Sequence, residues 1–191
     1  GTDSKVFTDL KRSDFQLIKL NNSNRAERLS KGLEQSRGSL VIFHHPRSLI
    51  ESAAFDFLLK NHSLLTWGGF LHHFDHQHPG LKFTSWYSNR VRPKTSKIVY
   101  LDHCLFFQKE LLDRPIPPVS IFEDTEISKI LRRHGPPTIL PFMVTTSAIR
   151  VQSHGFFRQA FINQILKWNY YFGRSDKKMN TLYEKNLKLN E

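Results

Sequence analysis

The chain has 191 residues, 39% hydrophobic and 13% aromatic, a composition that excludes a disordered or low-complexity protein and suits a single globular domain over residues 1–191. Its 28 Lys and Arg against 17 Asp and Glu leave a net charge of +11, which points to anionic partners (phosphates, nucleic acid or acidic lipid headgroups) without choosing among them. The single Cys104 excludes an internal disulfide and favours a cytoplasmic setting, and no apolar run approaches the roughly 18–20 residues of a membrane span.

Asn24, followed by Glu27 and by Ala26, Leu29 and Leu33 on one face, predicts a capped helix from Asn24 to Arg37, closed by Gly38. The continuous apolar run from Ser39 to Phe43 reads as a strand covered on both faces. Pro46 stops it, and Ser48 with Glu51 forms the pattern of a capping box opening a helix through Asn61. Helix, buried strand and helix in succession predict an α/β sheet with parallel strands. Leu64 to His76 is expected to be extended, Leu81 to Val91 helical, and Lys97 to Phe107 a strand. Phe122 to Arg133 reads as a helix with Ile127, Ile130 and Leu131 inward, ended by Gly135-Pro136-Pro137. Thr138 to Thr145 is strand-like, His154 to Phe172 is the longest helical stretch, and a basic helix is expected from Asp176 to about Leu187.

Ligands of open α/β sheets gather beyond the carboxyl ends of the strands. That rule directs attention to His44 to Arg47, Asp102-His103, and Thr146 to Arg150. Glu123, Asp124 and Glu126 crowd the first turn of one helix. Acids there complement the helix dipole, and one of them in a pocket could also serve as a general base. His44, His45 and Arg47 follow a buried strand, where Arg47 could grip a diphosphate through its planar fork. No spaced carboxylate or Cys joins the two histidines, so a polar strand end is favoured over a metal site. His72, His73, His76 and His78 lack the convergent ligands zinc requires, and an edge strand or exposed hairpin is the expected setting. From Arg150 to Glu191, eight Lys and Arg interleave with a run of aromatics. This pattern fits a core-facing amphipathic helix or a segment lying on a membrane surface.

Several of these segments, in order, resemble the family 2 inverting glycosyltransferases of the GT-A fold, most closely the bacterial selenodomain-associated transferase subgroup. Arg25-Ala26-Glu27-Arg28-Leu29-Ser30-Lys31-Gly32 is similar to that subgroup's Arg-Ala-Arg-Gln-Met-Asn-x-Gly helix. Ile42 to Arg47 falls where its strand ends in His-Ala-Asp-Thr. Leu101 to Phe106 resembles its Gly-Asp-Gln-Gly-Ile-Phe stretch, Phe122 to Ser128 its Met-Glu-Asp-x-Glu-Leu-Ser segment, Thr146 to Val151 its Thr-Ser-Ala-Arg-Arg-Trp stretch, and Tyr170 to Gly173 its closing Tyr-x-x-Gly.

The resemblance implies a three-layer α/β/α sandwich with a mixed, mostly parallel sheet. It implies inverting transfer of a sugar from a nucleotide-diphospho-sugar to a hydroxyl on a sugar or lipid-linked acceptor. Asp124 would be the base, with Glu123 beside it. Arg25, Arg47 and Arg150 would face donor phosphates, and Asp102 the acceptor or sugar. The family uses a divalent metal, Mg or Mn, on an Asp whose place Pro46 takes here. Positive charge for the diphosphate is therefore expected from Arg47, His44 or His45. The family's Gly-Ser-Thr-Asp-Gly-Thr turn would fall around Thr2-Asp3, so the chain is expected to be N-terminally truncated, lacking the first strand and the nucleotide-reading Asp. The competing expectations are a non-catalytic pseudo-glycosyltransferase that binds a partner chain or the inner face of a membrane, and, on charge alone, a nucleic-acid-binding domain.

Overall fold

The computed structural model describes residues 16–21, 23–173 and 179, with the backbone only of Arg150 and His154. The expectations for Thr2-Asp3 and for a helix over 176–187 lie outside the described residues.

Helix α1 (Arg25–Gln35) starts as its sequence predicts. The Glu27 N–H donates to Asn24 Oδ1 at 2.9 Å and the Asn24 N–H donates to the Glu27 carboxylate at 2.8 Å. Such a cap is worth about 1 kcal/mol. The helix stops at Ser36, whose hydroxyl donates to the Leu33 carbonyl at 2.7 Å, two residues before Gly38.

Strand β1 (Leu40–Phe43) is covered on both faces. Val41 and Phe43 join a core with Ala26 of α1, while Leu40 and Ile42 pack into a second core across the sheet. The next segment departs from expectation. Ser48–Ile50 forms strand β2, and helix α2 (Ser52–Asn61) begins after it with no side-chain cap at Glu51. Ser48 does not cap because its hydroxyl, fully buried, bonds Thr146 Oγ1 at 2.9 Å, and Leu49 and Ile50 pair with the neighbouring strand.

Strand β3 (Trp67–Phe74) is central, not the edge strand or hairpin expected for the His-rich stretch. The reason is Gly68: a Cβ there would lie 1.8 Å from the Thr138 carbonyl oxygen, so only glycine permits the close approach of β5 (Thr138–Thr146). Phe70 and Leu71 pair with Leu140 and Met143. The two skipped residues form a bulge at Pro141, which has no N–H for the ladder.

Helix α3 (Pro79–Trp86) is capped by His78, whose Nδ1 accepts the Gly80 N–H at 3.0 Å. It runs through a π-helical turn at Tyr87–Val91 into the short α4 (Arg92–Thr95), four residues past the expected end. Pro93 lacks an N–H and its ring excludes a carbonyl four residues back; the wider π turn accommodates it.

Of the strand expected over 97–107, only β4 (Leu105–Gln108) forms. A 3₁₀ turn over Leu101–His103 and Cys104 at φ +50° break the extended backbone before it.

The strand order is β1-β4-β3-β5-β2. Only β3–β5 is parallel; β1–β4, β4–β3 and β5–β2 are antiparallel. The sheet is thus mixed, but the expected predominance of parallel pairing does not hold. Instead of returning along a face of the sheet, the chain leaving β3 comes back from the carboxyl end. Phe106 and Phe107 pair with Gly68 and Trp67 at the start of β3, so β4 runs against it.

Helix α5 (Glu123–Leu131) places Ile127 and Leu131 in the same core as α1, and α2 places Ala54 and Leu58 in the core on the other face. The fold is therefore mixed α/β with helices on both sides of the sheet. The long C-terminal helix expected from His154 to Phe172 forms as α7 (Phe156–Tyr171); a short helix that was not expected, α6 (Ile149–His154), precedes it, separated from it by Gly155 at φ +78°. No helix among the described residues is long and apolar enough to cross a membrane.

Candidate active site

Two recesses, of about 230 and 190 Å³, open on the carboxyl-end side of β3 and β5 and share the wall formed by Arg25, Phe74, Asp102, Asp124 and Asn163. Five segments converge there: the start of α1, the 3₁₀ turn before β4, the first turn of α5, and the loops after β1 and β5. The sequence predicted this convergence for Arg25, His45, Arg47, Asp102 and Asp124, all of which line the recesses. His44 is exposed and lines neither. Arg150 is described by its backbone alone, in the first turn of α6.

Glu123 sits behind the wall, fully buried, and forms an ion pair with Arg25 Nε. Neither of its oxygens has a hydrogen-bond partner among the described residues, so Arg25 supplies its charge compensation. Glu123 is thus a structural anchor for Arg25 and does not reach the cleft.

Asp124 is only part-buried and faces both recesses. The Thr125 N–H donates to Oδ1 at 2.7 Å and the Leu101 N–H donates weakly to Oδ2 at 3.4 Å. Burial first, and then the Glu123 and Asp102 carboxylates, raise its proton affinity, against the opposing pull of Arg25 and the Leu101 N–H, to a pKa of about 7. A carboxyl held there can take up a proton near neutrality.

The smaller recess is shaped by a network of side-chain and backbone hydrogen bonds. Thr146 Oγ1 bonds Ser48 Oγ at 2.9 Å, and the Ser147 N–H donates to the Arg47 carbonyl at 3.3 Å. The Ala148 N–H donates to Asp75 Oδ1 at 2.7 Å, so Asp75 pins the turn after β5. The Arg47 N–H donates to His45 Nδ1 at 3.2 Å, which places the proton of a neutral imidazole on Nε2. These donors do not suit a divalent cation. Pro46 has none, His45 Nδ1 is engaged by the Arg47 N–H, and Arg47 is itself cationic. The recess is lined by Arg25, Arg47 and His45, which suit an anion, and also by Asp102 and Asp124.

Beside the predicted Arg25, Asp102 and Asp124, the larger recess is lined by residues to which the sequence assigns no role, although the strand-end rule picks out His103. His72 and His103 lie buried with ring centroids 5.3 Å apart. His103 Nδ1–H donates to the Phe70 carbonyl at 2.9 Å. Burial, and the proximity of other cationic groups, lower His72 to about 4 and His103 to about 3, so both are neutral over the ordinary pH range. Arg92 is buried against the face of Tyr100, with its guanidinium carbon 4.0 Å from the ring centroid, and Nη1 donates to Ser88 Oγ. Burial pushes the Tyr100 hydroxyl up to about 12. The only advance signal for His72 was its place in an unusual histidine run, and that run does not converge. His73 bonds Thr145 Oγ1 at 3.1 Å, His76 is exposed, and His78 caps α3.

No protein-family model matches this chain, and no curated protein matches it. The functional reading therefore rests on the site itself and on the sequence resemblance described above.

Proposed function

We propose that the chain is a GT-A-like glycosyl-transfer domain that moves a sugar from a nucleotide-diphospho-sugar to a hydroxyl acceptor with inversion. The observation that carries this reading is Asp124, a carboxylate on the wall shared by two recesses, with its proton affinity raised to about 7. In the step proposed, the acceptor oxygen bonds to the anomeric carbon from the face opposite the leaving group. The nucleoside diphosphate departs with the bonding electron pair, and the acceptor proton passes to Asp124. Arg47 and His45 in the smaller recess offer positive charge and an N–H to the diphosphate, the electrostatic help such a leaving group requires.

The test is turnover of UDP- and GDP-sugars by Asp124→Asn. This variant keeps the side-chain shape and removes the base, so kcat is expected to fall by about 10²–10⁴-fold while nucleotide binding is retained. Unchanged turnover refutes the assignment. Binding of UDP or GDP that weakens in Arg47→Ala supports the placement of the donor.

A second reading, a non-catalytic module docked on an anionic membrane, is favoured by one feature of α7. Phe157, Phe161, Trp168, Tyr171 and Phe172 are exposed, and at helical spacing they fall in a stripe about 100° wide, interrupted by Gln164. No nucleotide binding, together with salt-sensitive adsorption to vesicles containing phosphatidylglycerol, is the result that selects this reading over the first.

A further inference from the structure

The larger recess contains a cation that nothing described so far uses. Arg92 is 7% exposed, and among the described residues no carboxylate pairs with it. Its contacts are the Ser88 hydroxyl and the faces of Tyr100 and Tyr87. Cation–π contact and one neutral hydroxyl offset only part of the cost of removing a guanidinium from water, which is why buried arginines are ordinarily paired with acids. Lys167 of α7 lines the same recess, and its ammonium form is disfavoured by burial and by Arg92. Two cations facing one cavity and repelling each other mark a place where an anion relieves both.

A second, independent observation agrees. His72 is 3% exposed, lines this recess, and its Nε2 has no hydrogen-bond partner. If its Nδ1, 3.5 Å from Ser85 Oγ, accepts the hydroxyl proton, Nε2 carries the hydrogen and is a donor without an acceptor. The same recess is also lined by two carboxylates: Asp102 and Asp124 accept hydrogen bonds and repel an anion. The cavity is also small. At about 230 Å³ it falls below the ~300–1,000 Å³ of sites for drug-sized ligands, which excludes a long chain lying wholly within it.

We propose that this recess is the acceptor subsite and that the acceptor is a compact phosphorylated polyol or sugar, its phosphate held by Arg92 and Lys167 and its hydroxyls turned to Asp102 and Asp124. The assignment of the ligand as an acceptor rests on the glycosyl-transfer reading; the phosphate site does not. Arg92 and Lys167 set the orientation of the ligand, and Asp124 meets the hydroxyl at the wall shared with the donor recess. An uncharged acceptor would leave Arg92 uncompensated and bind poorly.

Calorimetric titration of the whole chain with glycerol 3-phosphate, inorganic phosphate and glycerol tests this. Glycerol 3-phosphate is expected to bind saturably, more tightly than inorganic phosphate, and glycerol is expected not to bind. Lys167→Gln, a change at a part-exposed position that spares the core, should weaken glycerol 3-phosphate at least tenfold. Arg92→Gln should do the same, and Arg92→Lys, which keeps the charge if the larger change unfolds the chain, should retain part of the affinity. Binding of UDP or GDP should be indifferent to Lys167→Gln and sensitive to Arg47→Ala. Absence of saturable glycerol 3-phosphate binding overturns the proposal, as does equal affinity in the wild type and Lys167→Gln. Loss of nucleotide diphosphate binding in Lys167→Gln also overturns it, since the recess would then hold the donor. Glycerol 3-phosphate binding that depends on Arg92 and Lys167, in a chain that binds no nucleotide, upholds the phosphate site and rejects the transfer reaction.

Discussion

Replacing Arg25 with alanine probes the electrostatic foundation of the site. Glu123 is completely buried, neither of its oxygens has a hydrogen-bond partner among the described residues, and Arg25 pairs with it from a side chain one-third exposed. Removing one partner of a buried pair strands the other charge, at a cost of about 3–5 kcal/mol. Arg25 stands on the cleft wall, where water can follow the shortened side chain, so the lower end, about 3 kcal/mol, is expected. Against a net stability of about 5–15 kcal/mol for a domain, this is a large fraction. Urea unfolding at pH 7 is the assay. With an m-value of about 1–3 kcal/mol/M, the midpoint of Arg25→Ala should fall by about 1–3 M. The double variant Arg25→Ala, Glu123→Gln should recover part of that loss, because the stranded charge is gone. A stability of Arg25→Ala within about 0.5 kcal/mol of wild type refutes the claim that Arg25 compensates Glu123, as does a double variant less stable than Arg25→Ala alone.

Three further outcomes follow from the geometry. Asp124 has a folded-state pKa of about 7, above its unfolded value of about 3.9, so the native state holds a proton that the unfolded chain has lost; its contribution to stability is complete below about pH 4 and fades as pH rises through 7. Asp124→Asn should flatten that slope in pH-dependent denaturation, and turnover by the wild type should rise with pH through about 7 as the base deprotonates. His72 and His103 are shifted the other way, to about 4 and about 3 from about 6.5, so the unfolded chain takes up protons first and stability should decline as pH falls from 6.5 towards 4; thermal unfolding of His72→Gln should show a shallower decline. Gly68→Ala should lower stability by at least about 1–3 kcal/mol, because its Cβ would force β3 from the Thr138 carbonyl; a melting temperature equal to wild type would contradict the β3–β5 register.

Local chemistry in the sequence determined much of this molecule. The α1 cap depends on Asn24 and Glu27, three residues apart, and α5 on apolar spacing over one stretch; both form as read. Placing Arg25, His45, Arg47, Asp102 and Asp124 around one cleft required only their positions beside strand ends and helix starts, together with the family resemblance. Tertiary structure decided whatever depends on partners distant in the chain. Ser48 and Glu51 carry the pattern of a helix cap, yet Ser48 bonds Thr146, 98 residues away, because strand pairing satisfies a row of backbone groups and a cap satisfies one. The direction of β4 was likewise illegible, since an apolar run reads the same whichever way its neighbour points. Arg92 carries no signal in the sequence, standing one residue past the helix expected to end at Val91. Burial, the absence of a paired acid among the described residues and the recess in front of it are properties of the assembled fold, and sequence has no local mark for an interaction left unmade.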